Sequence, residues 1–179
     1  MKKLIIMGLI SLIANCCSKT GLKDDFLTIP RTPYNGNELR IDGFYYQQWD
    51  NGAMFSDITW FYNDGIVFQG NGSGNMSELI DYANKTFLNH EMKQDKKGFW
   101  GLFLVKDNKI IYERWVGTQN GYLVYREEGN IINDTTFVMT EVSRMEQGVK
   151  SETKPIERLY YFNEFSSKPD STNNVIGTR

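Results

Sequence analysis

Beyond position 17 the chain has no cysteine, and its only two stand side by side as Cys16 and Cys17. No disulfide framework can therefore staple the remaining chain, although an exported protein would be free to have one. A bridge between the two neighbours would close a strained ring, because ordinary bridges join Cα atoms about 5.5 Å apart. Histidine is scarcer still, with His90 alone, so the cysteine pair does not suit a zinc site, which takes about four ligands. There is no basic excess: 20 Lys and Arg face 22 Asp and Glu, for a formal charge of -2. A nucleic-acid binder would show a basic stripe or patch. No Gly-x-Ser-x-Gly elbow occurs. No Gly-Lys-Ser/Thr follows the one glycine-rich stretch. His90 falls on an apolar helical stripe near Ala83 and Phe87, where packing is the commoner role. With no catalytic constellation in view, the expectation is a protein that is not an enzyme and uses no cofactor. Two carboxylates facing each other across a cleft would be needed to revive the enzyme reading.

What is present points to one folded domain. The chain has 179 residues, 40% apolar and 14% aromatic, enough for a core and too aromatic for a disordered chain. Met1-Lys2-Lys3 is a short positive segment, and Leu4 to Ala14 an apolar run. That run is too short to span a bilayer, which takes about 20 residues, and suits a signal peptide over residues 1–15. Ile13-Ala14-Asn15-Cys16 resembles the lipobox of bacterial lipoproteins. The resemblance implies export, acylation (palmitate included) at Cys16, and a lipid anchor in the cell envelope, on the outer membrane. Cys17 is the alternative, with Ala14 three residues before it. An ordinary signal peptidase could also cut at Ala14-Asn15-Cys16 without lipidation.

Residues 16–37 lack periodicity and carry Pro30, Pro33 and Gly36, as expected of a tether; a first edge strand at Phe26 to Ile29 is the alternative. Strand patterns follow. Leu39, Ile41 and Tyr45 alternate onto one face. Asn63-Asp64-Gly65 marks a hairpin turn. Further strands are expected at Phe99–Lys106, Ile110–Val116, Tyr122–Glu127, Thr135–Arg144 and Glu157–Phe165. One helix interrupts them, with Met76, Leu79, Ile80, Ala83 and Phe87 on one stripe and Asn75 and Glu78 placed as a capping box. "GNGSGN", residues 70–75, precedes this helix. It lacks the third glycine of a dinucleotide loop and is expected to be a flexible strand-to-helix connection. The tail from residue 167 to 179 is polar and expected to be loose.

Short turns favour a mainly β, antiparallel up-and-down meander. About eight strands would close into a small barrel, or roll into an open half-barrel plugged by the helix. Several strands are apolar on both faces, as in Leu159-Tyr160-Tyr161-Phe162. The outside must then be covered by the helix, the tether or a partner. Residues 38–166, through "GFWGLFLVKDNKIIYERW", "INDTTF" and "YYF", resemble the lipocalin-like, or calycin-like, barrels of small bacterial lipoproteins. That resemblance implies a binding module in the envelope. Trp60, Tyr62, Trp100, Tyr112, Trp115 and Tyr125 are the candidate lining of a cavity for an apolar small molecule. An envelope protein partner is the alternative, as is a structural role without a small ligand.

Overall fold

The structure, a computed structural model, describes residues 24–49, 54–88 and 93–177. The signal segment, Cys16, Cys17 and His90 lie outside the described residues. Eight strands run in chain order: β1 Gly43–Trp49, β2 Met54–Phe61, β3 Ile66–Gly74, β4 Trp100–Lys106, β5 Lys109–Thr118, β6 Gly121–Asn133, β7 Thr136–Glu146 and β8 Val149–Glu164. Each pairs antiparallel with its sequence neighbours, and β1 pairs with β8. The meander is therefore a closed barrel rather than an open half-barrel. Closure leaves no free edge to template aggregation.

Period-two alternation divides the side chains into two layers. Inward positions hold Tyr45, Phe61, Val67, Phe103, Ile110, Tyr112, Phe137, Met139 and Tyr160. Their rings pack face and edge: Phe137 stacks on Tyr160 at 4.6 Å, Phe61 meets Phe103 at 4.8 Å, and Tyr45 meets Phe137 at 5.0 Å. Each buried ring contributes roughly 2–3 kcal/mol by burial, and each such pair about 1 kcal/mol more. Tyr34 and Leu39 join this cluster from the segment before β1 and close one end of the barrel. There the Tyr45 hydroxyl donates toward the carbonyls of Arg40 and Asp134.

The outward layer is also apolar along half the barrel. Phe44, Ile58, Trp60, Ile66, Phe68, Trp100 and Trp115 form a second cluster outside the first. The chain covers it with itself. Helix α1, Met76–Leu88, lays Leu79 and Ala83 on it. Residues 24–34 bring Leu27 and Ile29, and the tail brings Phe165, Val175 and Ile176.

Both terminal segments thus correct an expectation. Residues 24–37 are docked along the barrel instead of forming a free tether, and no strand forms at Phe26 to Ile29. The described part of the tail, 167–177, is also docked: Lys168 Nζ donates to the carbonyls of Ile41 and Phe61, and Ser171 Oγ to Asp64. Neither segment has a periodicity to read, because each is held by isolated backbone and side-chain bonds and by apolar contacts, not by a ladder.

The glycine-rich stretch is a second correction. Residues 70–74 extend β3 and are not a loop. A Cβ on Gly72 would stand 2.9 Å from the Tyr82 ring, so glycine lets α1 lie close on the strand. The capping box forms as expected: Asn75 N–H donates to Glu78 at 2.8 Å and Glu78 N–H to Asn75 Oδ1 at 3.1 Å. Asn75→Ala is expected to cost about 1 kcal/mol, read as a lower denaturation midpoint.

Candidate functional site

Along each strand the inward face changes character. At the end closed by Tyr34 and Leu39 it is aromatic. Two residues further along the same face it turns polar: Tyr45 gives way to Gln47, Phe61 to Thr59, Val67 to Gln69, Tyr112 to Arg114 and Tyr160 to Arg158. The antiparallel order brings all of these polar residues to the opposite end. Glu127, Tyr125 and Arg144 belong to the same face of β6 and β7, since Tyr125 pairs with Arg114 on one side and Arg144 on the other.

Much of this half is tied into one hydrogen-bonded chain. Gln47 Nε2 donates to Asp57 Oδ2 at 2.7 Å and to the Tyr160 hydroxyl at 2.9 Å. The Tyr160 and Tyr112 hydroxyls stand 3.4 Å apart, and Tyr112 donates to Glu127 Oε2 at 2.8 Å. Arg158 Nη1 closes the chain on Glu127 Oε1 at 3.1 Å. Burial, with the Glu127 carboxylate close by, pushes the Tyr112 hydroxyl well above the usual tyrosine range. Tyr160 is raised for the same two reasons, burial first. Both phenols therefore stay protonated and serve as donors.

Besides Arg144 Nε on β7, three buried polar groups beside this chain have no hydrogen-bond partner among the described residues: Thr59 Oγ1, Gln69 Oε1 and Arg114 Nε. Thr59 and Gln69 are neighbours across β2 and β3 and are only 0% and 6% exposed. No ion pair closes on the Arg114 guanidinium among the described residues. Buried polar groups are nearly always satisfied, and leaving one bare costs about 1–3 kcal/mol. Three together on one wall have the chemistry of a receptor for a polar ligand. The register supports access. Beyond Phe68 and Trp100 no further β3–β4 pairs form, so Gln69 stands just past the last rung of that seam.

Asp57 is the least ordinary residue here. It lies in a bulge of β2 against β1, where Ser56 to Thr59 stand opposite Gln47 to Tyr45, and β3 in turn carries an extra residue opposite it between Gly70 and Ser73. Its φ is +52°, a left-handed conformation that costs a non-glycine residue about 1 kcal/mol or more. The bulge turns its carboxyl toward Gln47. Burial raises its proton affinity, and attraction to Arg114 and Arg158 opposes that rise.

Of the six aromatics expected to line a cavity, Tyr112 and Tyr125 lie on the inward face. Trp60, Tyr62, Trp100 and Trp115 belong to the outward cluster beneath α1, the N-terminal segment and the tail. The six are not brought together. The polar residues that do converge were open to detection as the polar member of each inward pair, but only once inward and outward faces are assigned.

Elsewhere on the surface, a groove of about 270 Å³ runs between the N-terminal segment and the tail, lined by Phe26, Leu27, Ile29, Leu102, Trp115 and Ile176. Among the described residues no group of three or more His, Cys, Asp or Glu could hold a metal ion. No family model, curated protein or solved structure matches the chain. Function must therefore be argued from this geometry.

Proposed function

We propose that the chain is a lipid-anchored, lipocalin-like binding protein of the bacterial cell envelope, and that its ligand is a small polar anion held in the polar half of the barrel. The observation that carries the ligand class is Arg114. Its Nε is a buried donor without an acceptor, and with the Thr59 hydroxyl able to donate beside it this favours an acceptor-bearing, negatively charged guest, while Gln69 Oε1 calls for a donor on that guest. Arg144 and Arg158 add positive charge around it. Asp57 and Glu127 offset part of that charge, and Glu127 is already engaged by Arg158 and Tyr112. An apolar guest has less support, because the apolar half is occupied by rings in mutual contact. The anchor rests on the lipobox resemblance at Cys16.

Native mass spectrometry of the protein released from membranes tests both parts. Acyl mass on Cys16, lost in Cys16→Ala and kept in Cys17→Ala, is the expected result for the anchor. A retained anion that disappears in Arg114→Gln is the expected result for the chamber. A neutral, apolar guest that survives Arg114→Gln would overturn the ligand class, and absence of any acyl mass would overturn the anchor.

A second reading is an envelope component that docks a protein. It rests on Phe26 and Val149, which are 51% and 69% exposed and lie either side of Gly148, itself in reach of the Phe26 ring. It predicts a defined complex that Phe26→Ser disrupts and Arg114→Gln leaves intact.

A further inference from the structure

We infer that the chamber takes up a proton together with its anion, and that Asp57 is the residue that receives it. The inference rests on the anion-binding reading above and adds how that site is regulated.

The placement of Asp57 is the starting point. The sheet holds this carboxyl in the barrel at the cost of a bulge and a left-handed backbone. Strain of that kind persists where surrounding structure enforces it and clusters at functional sites. Its surroundings are mixed. From β1, Gln47 donates to it. From β5, Arg114 attracts it, and from β8, Arg158 does the same, while Ser56 supports it from its own strand. Through Gln47 it is linked to Tyr160 on β8, then Tyr112 on β5 and Glu127 on β6. No ion pair closes on Asp57 among the described residues. Its charge is thus held by the Gln47 and Ser56 hydrogen bonds and by two arginines at a distance, in a site where burial already favours the neutral acid.

An anion at Arg114 removes most of that attraction. Two negative charges would then lie close together among partly buried side chains, and like charges so placed raise the proton affinity of the titratable one. A proton on Asp57 relieves the conflict. The balance is simple: anion, Asp57 carboxylate and one proton become the anion beside a neutral carboxylic acid. No bond in the anion breaks and no electron moves. Protonated Asp57 is also a donor, which an anion can use. Arg114 holds the guest, and Asp57 sets the pH at which it is held.

Sulfate is a suitable probe, because its own charge does not change between about pH 5 and pH 8. It is titrated calorimetrically into the full chain in two buffers of different protonation enthalpy. Uptake of a substantial fraction of a proton is expected, with affinity falling up to about tenfold per pH unit on the alkaline side. Asp57→Asn is expected to bind sulfate with the acid-limit affinity and no pH slope, since asparagine is neutral and tolerates positive φ. The buffer comparison on the native chain gives an answer even if that variant folds poorly. Histidine is the side chain whose unperturbed titration falls in this range, and His90→Gln is expected to keep the slope. Equal affinity across the range with no proton uptake would overturn the inference and leave the anion site standing, provided Arg114→Gln abolishes binding. Loss of the slope in His90→Gln would overturn it as well. If sulfate binds neither the native chain nor Asp57→Asn at any pH, the anion site and the proton linkage both fail.

Discussion

Glu113→Ala is expected to destabilise the protein by about 3–5 kcal/mol, at the top of the range for one substitution. Glu113 lies on the outer face of β5 and is 0% exposed. Its carboxylate receives the Thr28 N–H, the Thr28 hydroxyl, the Ile29 N–H and two N–H groups of Arg126. Alanine would leave two backbone donors and a largely buried guanidinium without an acceptor. The damage would spread, because these bonds pin residues 24–34 over Trp115 and the outer cluster. Glu113→Gln keeps an acceptor and the side-chain volume, and loses mainly the charge assistance, so about 1–3 kcal/mol is expected. Denaturant midpoints give the energies, and limited proteolysis between Asp24 and Tyr34 reports whether the segment has come away. A loss under about 1 kcal/mol in Glu113→Ala, with the segment still protected, would mean that apolar contacts of Leu27 and Ile29 hold it without the clamp.

Glu113 also shows where sequence reading stops. Its neighbours Tyr112 and Arg114 face into the barrel, so alternation alone assigns Glu113 to the outside, where a glutamate looks like an ordinary solvated residue. Nothing local says that residues 28 and 29, more than eighty positions away, will bury it. The same applies to the docked termini. Asp24 and Asp25 break any strand pattern and suit a tether, yet Asp24 accepts from Tyr122 N–H and Lys97, and Asp25 from Gln147. Single side-chain bonds over such separations leave no periodic trace.

What does leave a trace is burial on two faces. The strand Leu159-Tyr160-Tyr161-Phe162 cannot be apolar on both sides in water unless something covers the outside. α1, residues 24–34 and the tail supply that cover over Trp60, Phe68, Trp100 and Trp115, whereas on β8 the outward Leu159 and Tyr161 stay partly exposed, Tyr161 against the Tyr46 ring. All eight strands and the helix were legible from alternation, turn residues and the Asn75–Glu78 box. The first half of β8 was not. Val149 to Pro155 are exposed on both faces, so no alternation marks them, and only backbone pairing with β7 makes them a strand. Pro155 cannot donate to a ladder, and it sits where the β7–β8 register slips.

The site was half legible for a related reason. The aromatics were visible, but their sorting between layers decides their meaning, and Trp60 and Tyr112 differ in role by strand parity alone. Thr59 and Arg114 each stand two residues from an inward aromatic, and Gln69 two residues from the inward Val67. On an outward strand the same pattern is ordinary surface, so the signal becomes specific only once the barrel is closed and one face is known to be interior. Asp57 could not be read at all, because a bulge reverses parity at the residue that matters.

Raising the pH from 8 to 9 is expected to stabilise the protein, by about 1 kcal/mol. The cause is Lys168, whose Nζ is buried against the carbonyls of Ile41 and Phe61 and over the Tyr62 ring. Burial pulls its pKa down to about 8 from the usual 10.5, against the opposing pull of Asp42 and Asp64. Between those two values the unfolded chain binds a proton that the folded chain has released, so unfolding becomes harder as pH rises. A shift of this size corresponds to about 3 kcal/mol as an upper limit. Deprotonation does not free the tail, since a neutral amine retains two N–H donors for its two carbonyls. Above about pH 9.5 the sign reverses. Tyr45, Tyr62, Tyr112 and Tyr160 hold their protons more tightly in the fold than out of it, so the unfolded chain ionises first. A stability maximum near about pH 9.5 is therefore expected, unusually alkaline for a chain with a pI near 5.5. Lys168→Met keeps the aliphatic stem and removes the titrating group, and should flatten the rise from pH 8 while leaving the alkaline fall. Urea midpoints measured at half-unit steps for both proteins decide it. An unchanged rise in the methionine variant would assign the effect to another amine and release Lys168 from this role.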